Sequence, residues 1–178
     1  MSDKNTIKQT KKVRFFDRKE LRKLTKISPN SKSTIKNLVS LFSNSEGEFG
    51  QGASYEEIQQ AQQQLGVRFP LSYISFLKEF GWGGIGYWEL FGLGSDVPIH
   101  LNLIIQTRSE REEMQPKLAA HLIPIMNNGA GDLYCLNSKQ MREGECPVVF
   151  WDHEAGSDQE PDEDAENFLF WLSERLIN

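Results

Sequence analysis

The spacing of apolar residues switches from a helical to a mainly strand repeat at the glycine-rich stretch 81–86, and a closing helix follows near the C-terminal end. Before the switch, Ser54-Tyr55-Glu56-Glu57 forms a capping box: the Ser54 side chain accepts from the third helical amide while Glu57 reaches back. Ile58, Ala61 and Leu65 follow on one face, and Gly66 stands where a helix stop belongs. Phe69-Pro70 opens the next helix, with Pro in the first turn, where a missing N–H costs nothing. Phe69, Tyr73, Phe76, Leu77 and Phe80 make its stripe, and Gly81 ends it. An earlier helix is predicted over residues 33–42 from Ile35, Leu38, Val39 and Phe42, followed by a loop through Gly47, Gly50 and Gly52.

After the switch, the runs are strand-sized. Residues 82–86 read as a turn, and 87–93, 101–105, 122–126, 132–136 and 147–151 as strands. Asn127-Asn128-Gly129-Ala130-Gly131, rich in residues that accept positive φ, makes a hairpin turn between the third and fourth of these strands. A helix over 107–120, capped by Thr107 or Ser109 with Glu110 or Glu112, is interrupted by Pro116. The terminal helix starts near Asp164, capped by Asp162 or Asp164, and turns Phe168, Trp171, Leu172 and Leu176 inward. Helices first, antiparallel strands next and a closing helix predict an α+β single domain, mainly antiparallel sheet with flanking helices, not a doubly wound one. A chain of 178 residues accommodates one such domain over residues 32–178.

The formal charge of −5 hides two opposed parts. Residues 1–36 hold 12 Lys/Arg and 3 Asp/Glu, whereas residues 37–178 hold 8 and 22. Residues 1–31 read as a basic arm, either a solvated tail or a phosphate-attracting segment for nucleic acid. Two cysteines, Cys135 and Cys146, are too few for a disulfide framework or a thiolate zinc site. No apolar run reaches membrane-spanning length, and no apolar segment follows the basic N-terminus as in a signal peptide. The expectation is a cytoplasmic protein with no membrane partner.

Signatures of chemistry are sparse. There is no phosphate-binding glycine loop, nucleophile elbow or zincin helix. Asp152-His153-Glu154, at the end of a strand, is the best constellation, since a carboxylate raises imidazole basicity and fixes its tautomer for a base or a metal ligand. Alternation along a strand puts at most Asp152 and Glu154 on one side, and polar residues leaving a core are the plainer reading. Residues 152–166 carry eight carboxylates (Asp152, Glu154, Asp158, Glu160, Asp162, Glu163, Asp164 and Glu166) and no Lys or Arg. Their repulsion predicts an extended, solvated loop, or a docking surface for a basic partner. The EF-hand order is missing, with Pro161 in the middle. Trp82, Tyr87, Trp88 and Phe91 surround the glycine-rich turn; most of them read as core, and an exposed one would anchor an interface.

In order along the chain, these motifs resemble the SUKH superfamily, the group of SMI/KNR-type cell-wall regulators and many bacterial immunity proteins. The resemblance covers about residues 54–176. It is carried by Leu65-Gly66 with Phe69-Pro70, by Tyr73 with Phe76-Leu77 and Gly81-Trp82-Gly83-Gly84, by Gly129-Ala130-Gly131-Asp132, by Val148 through Asp152-His153-Glu154, and by Asn167-Phe168 with Trp171-Leu172. The arm at 1–31 and the glutamines Gln59, Gln60, Gln62, Gln63 and Gln64 depart from the family pattern. The resemblance implies a SUKH-like α+β fold and an immunity protein binding a cognate toxin, often a nuclease, or else a regulatory scaffold. It carries over no catalytic residue, and no metal, cofactor or small-molecule substrate is expected. The partner-binding candidates are Asp152, Glu154, Asp158, Glu160, Asp162 and Glu163 for charge, with Trp82 and Trp88 as anchors.

Overall fold

The structure, a computed structural model, describes residues 47–85 and 88–175. The basic arm and the helix expected over 33–42 lie outside the described residues, as do Tyr87 and Leu176. Strand β1 (Gly47–Phe49) leads to helix α1 (Tyr55–Leu65), whose start is the expected capping box. Glu57 N–H donates to Ser54 Oγ at 3.2 Å, and Ser54 N–H donates to Glu57 Oε2 at 2.7 Å. Ile58, Ala61 and Leu65 are buried, and Gly66 closes the helix at φ 66°.

Helix α2 (Leu71–Phe80) begins one residue later than the sequence suggests, with Pro70 as an extended N-cap that has no side-chain bond to give. The cap comes from elsewhere: Ser72 N–H and Ser72 Oγ–H donate to Glu145 at 2.9 and 2.6 Å, 73 positions along the chain. Tyr73, Phe76 and Leu77 are buried, and Tyr73 donates its hydroxyl proton to Phe91 O at 2.7 Å. Gly81 ends α2 at φ 73°. The chain crosses itself there, because a Cβ on Gly92 would overlap the Gly81 carbonyl.

Three local expectations are corrected. The glycines at 47–49 and 83–85 are strands: β1 pairs antiparallel with β2 (Gly83–Ile85), and β2 pairs with β3 (Trp88–Leu90). Hydrogen-bonded pairing with tight approach of bare backbone outweighs the low strand propensity of glycine. The apolar run 101–105 is not a strand. Asn102 accepts from Ile104 and Ile105 N–H at 3.1 and 3.2 Å and starts helix α3 (Leu103–Arg108), because a short apolar run does not distinguish strand from helix. Thr107 therefore lies inside a helix, donating its hydroxyl to Leu103 O at 2.6 Å, and a wider turn over Ser109–Glu113 ends the helical path before Pro116.

The second sheet runs in the order β4 (Leu122–Asn127), β5 (Leu133–Asn137), β6 (Val148–Trp151), β7 (Asp162–Ala165), each pair antiparallel. Pro124 is tolerated because β4 is a terminal strand and its register shifts between Pro124 and Met126. Residues 122–126 are buried without alternation because both faces are covered. On one face Ile123, Ile125, Leu136 and Val148 join the helices in the main core. On the other, Leu122, Leu133, Cys135, Val149 and Trp151 pack with Leu118. Helix α4 (Phe168–Arg175) closes the core, and Asn167 caps it by accepting from Phe170 N–H at 2.9 Å. Neither Asp162 nor Asp164 serves as that cap. Among the described residues, two antiparallel sheets with four helices make an α+β fold, as the order of elements predicts.

Candidate functional site

The segment between β6 and α4 holds the candidate carboxylates, and it is more ordered than a repelling loop. Strand β6 ends at Trp151, and Asp152 accepts from Glu154 N–H at 2.8 Å to start one tight turn over His153–Ala155. A turn replaces strand alternation, so the expected placement of Asp152 and Glu154 on one strand face does not apply. Gln159 fastens the segment: its Oε1 accepts from Asp152 N–H at 3.0 Å, while Nε2 donates to Asp152 O and Gly156 O. Residues 162–165, expected in the loop, are strand β7. Glu154, Asp158, Glu160, Asp162 and Glu163 are exposed. Of the eight carboxylates, only Asp164 makes an ion pair among the described residues, with Arg175 at 2.5 Å.

His153 turns toward the β4–β5 hairpin. Its Nδ1 lies 2.7 Å from Asp132 Oδ1, and its backbone N–H donates to the same oxygen at 3.3 Å. Facing a carboxylate, Nδ1 carries the proton. The hairpin turn is built to present Asp132: Asn128 Oδ1 accepts from Ala130 and Asp132 N–H, and Asn128 Nδ2 donates to Asp132 Oδ2 at 2.8 Å. Gly131, at φ 104°, lets the imidazole lie against the turn, since a Cβ there would meet the ring at 3.2 Å. The hydrogen bond to Asp132 raises the His153 pKa above its ordinary value and, read from the other side, lowers that of Asp132. The Gly-Asp turn in the sequence was the available signal for this partner, but nothing in spacing connects it to His153.

Asp132, Asp152 and His153 bring potential metal-ligand atoms within 4.8 Å of one another. Each already has a protein partner: the imidazole takes Asp132, Asn128 takes the other Asp132 oxygen, and Glu154 N–H takes Asp152. Through these bonds the trio links hairpin and loop. Among the described residues, no hydroxyl or thiol hydrogen-bonds the imidazole to act as a nucleophile. The two thiols are buried elsewhere, and burial pushes that of Cys146 up to about 12.

The two tryptophan anchors part company. Trp82 is 7 % exposed and lies under Gly50, where any Cβ would strike the indole, so it packs the interior and is not an exposed anchor. Trp88 is half-buried, and the Arg175 guanidinium stands 6.0 Å from its ring, 5.2 Å from Trp171 and 4.7 Å from Tyr134. Arg175 thus joins an aromatic rim to the Asp164 end of β7. Near the same strand is a cavity of about 350 Å3 whose walls include Arg142, Glu145, Glu163 and Glu166. Glu145 carries no signal in the local sequence pattern; the tight Arg142–Glu145 bridge presents it there.

An α+β domain with a carboxylate-rich, partly stranded edge is the class these observations define. The chain matches the SUKH_5 family model, described as SMI1-KNR4 cell-wall, over residues 31–177, and it belongs to that family. Among the described residues, no helix is long and apolar enough to cross a membrane.

Proposed function

We propose that this chain is a cytoplasmic immunity protein that binds a toxin domain, a nuclease, and neutralises it by occupying the cleft where nucleic acid would lie. Supporting this reading is the exposure of Glu154, Asp158, Glu160, Asp162 and Glu163 on a segment held in place by Gln159. A nuclease cleft is basic because it holds phosphates, and an ordered set of carboxylates competes for that field without a large reorganisation cost. Asp152, which caps the His153–Ala155 turn, shapes the segment. Trp88, beside the Arg175 that pairs with Asp164, is the aromatic anchor in this reading.

The test is co-expression with the toxin domain encoded beside it. Wild type restores growth, and the triple variant Asp158→Lys, Glu160→Lys, Asp162→Lys does not; binding of the purified pair weakens as salt is raised. Unchanged binding and unchanged salt dependence in the triple variant would sink the reading. The family description favours a second one, a regulatory scaffold of the cell-wall kind. Capture from the native host then returns endogenous non-toxin partners, through the same carboxylates.

A further inference from the structure

Among the described residues, strand β7 is a terminal strand of its sheet, bonded only to β6 through the pairs Phe150↔Asp162, Val149↔Glu163 and Val148↔Ala165. At the opposite end of the sheet, Phe91 N–H donates to Ile125 O of β4, so that edge is partly used. Among the described residues, no backbone hydrogen bond joins the outer edge of β7 to another segment. An open edge is a template for another strand, and its side chains decide which. Asp162, Glu163 and Asp164 are all exposed, so a second copy of β7 would set carboxylate against carboxylate and be repelled. Asp164 is already paired with Arg175, which leaves Asp162 and Glu163 to face an incoming chain.

The cavity adds a second selection. By the β6–β7 register Pro147 falls opposite Glu166, and both line the cavity with Glu163, Glu145 and Arg142. Glu145 is occupied by Ser72, so Glu163 and Glu166 supply the available acceptors at the end of the open edge.

We propose that the outer edge of β7 receives an extended, lysine- or arginine-bearing segment of a partner protein by strand addition, with one cationic side chain entering the cavity beside Glu163 and Glu166. The proposal rests on the reading above that the partner is basic, and adds that recognition runs through a backbone ladder as well as through charge. A ladder supplies affinity, and alternate side chains supply selection.

The test uses the full chain and three fluorescent peptides of about six residues, the length of an ordinary strand. One alternates Lys and Thr, one replaces Lys by Glu, and one is the Lys–Thr peptide with every amide N-methylated, which keeps the charge but cannot donate to a ladder. The Lys–Thr peptide binds and slows amide exchange at residues 162–165. The Glu peptide does not bind, and N-methylation weakens binding by about tenfold or more. The Glu163→Gln, Glu166→Gln double variant, altered only at exposed side chains, weakens the Lys–Thr peptide by a similar factor. Absence of Lys–Thr binding, equal binding of the N-methylated peptide, or protection elsewhere than β7 would overturn the proposal. Failure of growth rescue with peptide binding intact removes the toxin reading and leaves the strand site. Rescue together with equal binding of the methylated peptide does the reverse.

Discussion

Around Phe168 the rings of Tyr73 and Phe76 stand 5.0 and 5.4 Å away, and Trp171 stacks alongside at 6.1 Å. A few residues upstream, the segment 152–160 buries almost nothing, and Asp152, Gln159 and the Asp132–His153 link give it shape. The first region is held by area removed from water, the second by side chains that satisfy particular backbone groups. Burial is non-directional and tolerates small shifts, whereas a polar staple fixes one conformation and leaves charged side chains outside it. That division leaves the carboxylates of the second region exposed on a shaped surface.

The sharpest way to break the comparison is to truncate one ring and one staple. Phe168 is fully buried, so Phe168→Ala is expected to lose about 3–5 kcal/mol in urea unfolding, with both helices α2 and α4 loosened. A loss no larger than that of a loop variant would mean the aromatic cluster is not what holds the two together. Second in size is Glu145→Ala. It removes the acceptor for Ser72 N–H and Oγ–H at the start of α2, where Pro70 gives no side-chain cap, and about 1–2 kcal/mol is expected. Glu145→Gln, which keeps an acceptor, loses less. Equal losses would show that the charge, and not the hydrogen bond, matters to the helix start. Third is Gln159→Ala, at about 1 kcal/mol or less, because its bonds close a surface loop. Its clearer readout is faster amide exchange confined to residues 152–160.

The same division explains what could be read from the sequence. Helices α1, α2 and α4 and the β4–β5 hairpin were legible because apolar spacing and capping residues report burial and backbone direction locally. Helix α3 was not, since Leu101 to Ile105 is too short to carry a period and only the Asn102 cap decides it. Strands β1 and β2 were hidden by their glycines; at Gly83 the glycine serves the close approach of Phe49 and not propensity. In the candidate site, the carboxylates were visible as composition. Their arrangement was not, because Asp132 is 21 positions from His153, and Glu145 is 73 from Ser72. Contacts of that separation are set by the register of the sheet and by the crossing of α2, which no local pattern encodes.

The smallest expected effect is the one that tests whether the staple region is electrostatically tuned. His153 has its pKa raised above 6.5 by the Asp132 hydrogen bond, and Asp132 has its own lowered below 3.8 chiefly by the same bond. For His153 the contribution to stability is complete below the unfolded pKa of about 6.5 and is lost as pH rises through the raised folded value. For Asp132 it is complete above about 3.9, the unfolded value, and is lost as pH falls through the depressed one. The link is therefore strongest between these limits and weakens on the alkaline side, where a neutral imidazole still donates from Nδ1 but no longer carries charge. NMR titration of the His153 ring in wild type and in Asp132→Asn checks this directly. The variant brings the midpoint back toward 6.5, and its stability then changes less between pH 6 and pH 9 than that of wild type. Identical midpoints would mean that Asp132 fixes the orientation of the ring without tuning its charge, and the staple would be one of geometry alone.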